Sequence, residues 1–453
     1  MKSIDQIAAL LSDYDPTSMR VEKVSAILNE LVSAHRLATE SLPLRDALGR
    51  VLAQNLISPI NVPPHDNSAM DGFAFDGAQL QNGQALDLRV VGTALAGSVW
   101  QGSVGAGECI KIMTGAIMPQ GLNTVVPQEW VSVNVQTEAA PTLHIPANSV
   151  KLGDNRRLAG EDLMQGQAAL LQGDTLTPAA MGLLASLGLS SVRVYRKLRV
   201  AYFSTGDELL SHDQAPREGA VYDSNRYTVI GMLNRMGCEV IDMGAVRDDP
   251  TLLEAAFVQA ASTADAIITS GGMGVGEADH TRSIMKKLGC DSGNLAFWHV
   301  AMRPGRPMAV GQIGTKNIIK NASMRHNDCL ESYKNNSMLW FGLPGNPVAV
   351  MVTFLVFVRP ALLRMMGATA KPTPLLQATS AEVIRKKAGR TEYQRGIVST
   401  LADGSLQVKT TGNQGSGVLS SMVQANGLIV LHHDQGLVHV GDKVNVMMFE
   451  GVI

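Results

Sequence analysis

Glycine turns followed by carboxylates are the stretches of this 453-residue sequence that could do chemistry. In residues 266–281, AIITSGGMGVGEADHT, a short apolar run at 266–269 reads as a buried strand that stops at Ser270, Gly271 and Gly272. Glycine there lets the backbone turn sharply and approach a ligand. A helix is expected over 281–288, closed by Lys286, Lys287 and Gly289, and its N-terminus would turn unpaired N–H groups toward an anion. The loop between carries Glu277 and Asp279. Carboxylates repel a neighbouring phosphate unless a divalent cation lies between them, so these residue types point to a phosphorylated ligand held with Mg²⁺. Asp279 also fits the simpler role of helix cap.

Around that loop, residues 192–360 alternate strand and helix. Apolar strands are expected at 198–203 running into STGDEL, at 239–243 before VRDDP, at 266–269, near 295–301 ending in MRPGRP, and at 338–341 ending in GLPGNP before a long apolar helix. Asp223 or Ser224 caps a helix with Val229, Ile230, Leu233 and Met236 on one face, and Asp249 before Pro250 opens another. Such alternation predicts a parallel sheet with right-handed crossovers, whose ligands bind beyond the strands' carboxyl ends. Asp207, Glu208, Asp248, Ser270, Asp279, Arg303, Gly345 and Asn346 all fall on that rim. There Asp248, Asp279 and Glu208 offer carboxylates for a divalent cation, the glycine turns offer amides for phosphate, and Arg303 with Arg306 suits an oxyanion.

Blander roles fit each residue alone: caps for Asp223, Asp249 and Asp279, a tight turn for Gly271 and Gly272, loop stiffening for Pro304 and Pro307, a surface ion pair for Arg303, a strand-end hydroxyl for Thr114. Independent caps would not be expected to gather on one rim, and acids clustered at a cleft are a functional signal. No HExxH or GxSxG pattern competes with that reading.

The length allows about three domains. A net charge of −2, 45% hydrophobic residues and 44 glycines describe an ordinary globular α/β chain with no basic patch for nucleic acid. Four scattered cysteines without a CxxC pair suit a reduced, cytoplasmic compartment. The N-terminus carries acids inside its short apolar run, unlike a signal peptide, and the longest apolar run, 348–358, falls short of a membrane span, so a soluble protein is expected. A helix should begin near residue 20, and a short strand or turn at 42–51 should lead into another. A β-rich unit is expected over 86–143, a helix from Thr177 and Pro178 to Gly188, and a small all-β unit from 371 onward. Residues 311–337, rich in Asn, Lys and Ser, read as a long surface insertion.

Nine stretches, in this order, resemble the molybdopterin molybdenumtransferase family, the MoeA-type proteins to which the gephyrin E domain also belongs. They are DNSAMDGFA at 66–74, MTGA at 113–116, GED at 160–162, STGDEL at 204–209, YDSN at 222–225, VRDDP at 246–250, TSGG with GEAD at 269–279, RPGRP at 303–307 and GLPGNP at 342–347. The resemblance implies an α/β multidomain protein. A helical-plus-strand N-terminal domain would span 1–60 and 146–190, an inserted β-rich domain 61–145, a molybdopterin-binding (MogA-like) three-layer α/β catalytic domain 191–366, and a C-terminal β-barrel 367–453. The implied reaction inserts molybdate into adenylylated molybdopterin, with Mg²⁺-dependent cleavage of the pyrophosphate and release of AMP.

Carried over by position, the implied catalytic residues are Asp71, Thr114, Asp162, Glu208, Asp248 and Asp279, with Asp248 and Asp279 as metal ligands. The implied substrate contacts are Asp223, Ser224, Asn225, Ser270, Gly271, Gly272, Arg303, Pro304, Gly305, Pro307, Gly345 and Asn346. A homodimer with a shared active site is implied, Asp71 and Thr114 facing the partner's catalytic domain. A molybdopterin adenylyltransferase and molybdoenzymes are the further partners it implies, with no nucleic acid and no membrane. An enzyme that adenylylates molybdopterin and a dimeric gephyrin-like scaffold are the alternatives, and the full set of acids counts against the scaffold. The 311–337 insertion, longer than the family usually carries before GLPGNP, is the departure.

Overall fold

The computed structural model describes residues 3–10, 14–33, 35–81, 83–134, 140–272, 280–288, 294–314 and 337–450. Its central sheet has six strands in the order Glu239–Val246, Arg199–Thr205, Ala266–Ser270, Ser337–Leu343, Pro307–Gly314 and Leu295–His299. The first four are parallel. Strands covered on both faces read as continuous apolar runs, and Val200, Ala201, Tyr202 and Phe203 are all fully buried. Alternate side chains enter opposite cores. Val200 and Tyr202 pack with the helices Ser224–Arg235, Val21–Val32 and the run from Pro347. Ala201 and Phe203 pack with Pro250–Thr263 and Thr281–Lys287, where the Phe257 ring meets Phe203 and Trp340 edge-on at 5.1 and 5.8 Å.

The last two pairings are antiparallel, because Pro307–Gly314 runs against the other five strands, which corrects the all-parallel sheet expected from the alternation. The cause is the unforeseen strand Pro307–Gly314, whose Gly311 and Gln312 read in sequence as the start of a loop. Both are buried, and a Cβ on Gly311 would come within 3.1 Å of the Trp340 ring. The expected insertion therefore loses both its ends to strands, and residues 315–336 lie outside those described.

Local capping follows the sequence. Asp249 accepts from the N–H groups of Thr251 and Leu252 at 2.8 and 3.0 Å ahead of Pro250, and Asp223 accepts from that of Arg226 at 3.1 Å. The helix Thr281–Lys287 follows His280 without a side-chain cap, and Asp279 lies outside the described residues. The helix expected after residues 42–51 does not form. Thr39–Pro43 pairs antiparallel with Ser191–Tyr195, and Gly49, at φ 74°, then turns the chain so that Val51 and Leu52 bridge to Thr175 and Val194.

Two further sheets flank the central one. Residues 72–145 hold a six-stranded sheet in the order Thr124–Pro127, Gly72–Phe75, Glu108–Ile112, Leu86–Ala94, Thr142–Ile145, Ser132–Asn134. Beyond residue 376, Thr391–Thr400, Leu406–Thr410, Leu376–Ser380, Lys443–Met448 and Gly427–Leu431 pair in that order. The last pairs back with the first, closing a five-stranded barrel around Val408, Ile429 and Val446. Closure leaves no open edge among these strands. The helical run Pro347–Met365 has 19 residues and a mean hydropathy of 1.9, longer than the sequence suggested and enough by length to cross a bilayer. Two-thirds of it is buried inside the protein, as in a core helix.

Asp265, just before the central Ala266–Ser270 strand, accepts from Arg196 at 2.6 and 2.7 Å and from the Arg199 N–H at 2.8 Å. Burial pushes its pKa up, but the Arg196 bonds and the Arg199 N–H outweigh this and hold it below the ordinary 3.8. Asp265→Asn is therefore expected to cost about 3 kcal/mol in urea unfolding at pH 7. The stability tied to this carboxylate is complete above pH 3.8 and lost as pH falls through the lower folded-state value. The deficit of the variant should accordingly shrink below pH 3.8, and an equal deficit at every pH would contradict this assignment.

Candidate active site

At the carboxyl ends of the parallel strands lies a cleft of about 740 Å³. Glycine turns draw its walls together. The Gly271 N–H donates to the Leu343 carbonyl at 3.2 Å, and Asn225 Nδ2 donates to the Gly345 carbonyl at 2.7 Å. Gly271 has φ 90°, and a Cβ there would overlap the Thr205 carbonyl oxygen. Gly305 has φ 96°, and a Cβ there would overlap the Thr353 hydroxyl. Larger residues would push these turns apart.

Both signs of charge face the cleft. Glu208 and the half-buried Asp248 lie on it with Arg303, Arg306 and Arg390. Gly271, Gly272, Pro304, Gly305, Pro307, Gly345 and Asn346 also line it. The sequence reading thus located most of this surface but missed the barrel's share: Arg390, Gln414, Gly415 and Ser416. The last three share one sequence signal, another polar glycine turn, NQGSG at 413–417.

The barrel is seated on the rim by backbone bonds. Met302–Arg303 pairs parallel with Thr391 and Glu392, and the Val348 N–H, at the start of the helix after GLPGNP, donates to the Ser416 carbonyl at 3.0 Å. Buried charges then fix what the barrel presents. Glu392, 1% exposed, accepts from Arg390 at 2.9 Å and from Gln394 at 3.0 Å. Arg395, equally buried, donates to the Ser421 hydroxyl at 2.9 Å and to the Asn413 and Gly415 carbonyls at 3.2 and 2.9 Å. Burial pulls its guanidinium down to about 10.

Other residues singled out in the sequence lie elsewhere. Ser270 is buried beneath the cleft, its hydroxyl 2.7 Å from that of Tyr202. Ser224 opens the helix that Asp223 caps. The second carboxylate oxygen of Asp223 and the amide oxygen of Asn225 are buried without a hydrogen-bond partner. Asp223 lines an adjoining pocket of about 410 Å³ that shares Gly206 with the cleft. Asp71 and Thr114 form a unit on the inserted sheet: one Asp71 oxygen accepts from both the Thr114 N–H and its hydroxyl at 2.7 Å. Those bonds, the N–H first, hold the exposed carboxyl below its ordinary range. Asp162 is exposed in a turn whose N–H donates to the Val62 carbonyl at 3.1 Å. None of these three lines the cleft of its own chain.

Among the described residues no three His, Cys, Asp or Glu side chains gather as a metal cage. Mg²⁺ does not require one, because it takes one or two carboxylates and fills its other positions with phosphate oxygen and water. Glu208 and Asp248 on one cleft fit that pattern, and Asp279 lies outside the described residues.

Three family models cover most of the chain: the MoeA N-terminal region (domain I and II) over residues 19–188, a probable molybdopterin binding domain over 201–364, and the MoeA C-terminal region (domain IV) over 377–449. A molybdopterin molybdenumtransferase of Haemophilus influenzae is 39% identical over 417 residues, 92% of this chain and 95% of that protein. One from Nostoc is 33% identical over 90% of this chain and 88% of its own length. The crystal structure of a molybdopterin biosynthesis MoeA protein from Pyrococcus horikoshii superposes with a TM-score of 0.74 at 26% identity, covering 95% of this chain and all of that one. With its order of motifs, its four-part architecture and this near end-to-end similarity, the chain belongs to the molybdopterin molybdenumtransferase (MoeA) family of enzymes.

Proposed function

We propose that this protein inserts molybdate into adenylylated molybdopterin during molybdenum cofactor biosynthesis, cleaving the pyrophosphate link and releasing AMP. The observation that carries the reading is the meeting of Asp248 and Glu208 with Arg303, Arg306 and Arg390 on one glycine-walled cleft. Cleaving a pyrophosphate depends on neutralising and aligning charge more than on a protein nucleophile. Mg²⁺ held by Asp248 and Glu208, with Asp279 as the further ligand, would supply that neutralisation. The Gly272 amide suits a phosphate oxygen, the Gly271 N–H being held by the Leu343 carbonyl, and the arginines suit the tetrahedral dianion molybdate. Arg390 is preset for this by Glu392, which fixes its guanidinium before a ligand arrives. A molybdopterin adenylyltransferase would supply the substrate and molybdoenzymes would receive the product.

The active site is completed by a second copy of the chain. Asp71 is exposed and already organised by Thr114, yet stands off its own cleft. Exposed apolar side chains flank it and Asp162: Met70 at 41%, Leu158 at 50% and Met164 at 55%. A two-fold dimer that buries this patch would bring Asp71, Thr114 and Asp162 to the partner's cleft.

Two experiments test these statements. With adenylylated molybdopterin, AMP release should require molybdate, and Asp248→Asn should slow it by about 100-fold or more. Formation of adenylylated pterin from ATP would favour the adenylylating alternative, AMP release without molybdate would uncouple cleavage from insertion and contradict the reading, and full activity in Asp248→Asn would remove the cleft acids from the mechanism. Separately, Asp71→Ala and Asp248→Ala variants, each inactive, should regain about a quarter of wild-type activity when unfolded together and refolded as mixed dimers, because half the dimers then hold one intact site. No regain would mean that each chain works alone.

A further inference from the structure

A second pocket, of about 350 Å³, shares no lining residue with the cleft. It lies where three segments cross: the end of the helix Val21–Val32, the turn at Gln172 and Gly173, and the chain leaving the core helix at Arg364 toward the barrel. The crossing is tightly built. The Thr369 N–H donates to the Gly173 carbonyl at 2.9 Å, and a Cβ on Gly367 would come within 2.5 Å of the Tyr195 ring.

Its polar lining is one-sided. His35, Arg36 and Arg364 face it, and no carboxylate among the described residues does. His35 is only 8% exposed and its Nε2 has no hydrogen-bond partner; Nε of Arg364 is likewise buried and unpartnered. Arg36 donates through Nη1 to the Ser33 and His35 carbonyls at 2.8 and 2.7 Å, which leaves the rest of its fork for another acceptor. The Tyr195 hydroxyl accepts from Gln172 Nε2 at 2.6 Å, so its own hydrogen is free to be given. The nearby carboxylate Asp265 is already engaged by Arg196 and Arg199. Buried polar nitrogens without partners are rare in folded proteins, and the two guanidiniums of Arg36 and Arg364 without a counter-charge repel one another. An anion would resolve both.

We propose that this pocket is an anion site separate from the catalytic cleft, taking a tetrahedral oxyanion of the phosphate type on Arg36, Arg364, Tyr195 and His35. Seated there, the ion ties the N-terminal helix to the strap that leads into the barrel. Because the cleft also suits oxyanions, the test is made in the full chain carrying Arg303→Ala and Arg390→Ala. Inorganic phosphate should raise the melting temperature of that protein by about 1–3 °C over sodium chloride of equal ionic strength. Adding Arg36→Gln with Arg364→Gln should abolish the rise, and Tyr195→Phe, which keeps the ring and its packing, should weaken phosphate binding about fivefold. Repeating the titration with molybdate distinguishes the sources: tighter binding of molybdate marks a site for the reaction's own oxyanion, tighter binding of phosphate a site for a phosphorylated metabolite. The proposal is overturned if phosphate gives no rise in the Arg303→Ala, Arg390→Ala protein, or if the rise survives loss of Arg36 and Arg364. If that pair fails to fold, undiminished phosphate binding by Tyr195→Phe overturns it equally.

Discussion

The seating of the barrel on the rim of the central sheet is the constraint on which the rest of this structure depends. It is made of ordinary parts: a two-residue parallel pairing at Met302–Arg303 and the bond from the Val348 N–H to the Ser416 carbonyl. Backbone bonds fix register and direction in a way that side-chain contacts alone do not. Through them, Arg390 and the 413–416 loop face the strand ends, and a sheet rim open on one side becomes a two-walled cleft.

The cleft's charges are held from behind. Glu392 and Arg395 are nearly inaccessible, and each bonds one group that reaches the cleft, Arg390 and the Gly415 carbonyl. Buried ion pairs are weak contributors to net stability, because desolvation offsets most of their attraction, yet removing one partner is costly. Their value here is positional: the ligand meets groups whose orientation has already been set. The glycines act on the other wall in the opposite way, by omission. At Gly271 and Gly305 a side chain would strike the Thr205 carbonyl and the Thr353 hydroxyl, so only glycine lets these turns pack closely behind the cleft wall.

Much of this could be read from the sequence, for physical reasons that differ by element. Parallel strands announce themselves as apolar runs, and caps such as Asp249 with Pro250 are local chemistry that needs no tertiary knowledge. The rim turns were legible because glycine, proline and acid cluster there. The antiparallel strand Pro307–Gly314 was not, since Gly311 and Gln312 imitate a loop and only the tertiary packing of Met285 and Trp340 explains the glycine. Nor was the barrel's contribution. Arg390 has no local pattern that marks it, the NQGSG turn does not say what it faces, and both act through a docking between segments far apart in sequence. Asp71 and Thr114 were named from the family pattern alone, and the bond between them is a tertiary fact.

The central claim, that the sheet rim and the barrel together form one oxyanion-binding cleft, is tested most directly by the anomalous scattering of molybdenum in crystals soaked with molybdate and AMP. The account predicts a peak within hydrogen-bonding distance of Arg390 and at least one of Arg303 and Arg306, with the nucleotide phosphate against the Gly271 and Gly272 turn. A molybdenum peak that touches none of these arginines, with the cleft holding only solvent, would contradict it.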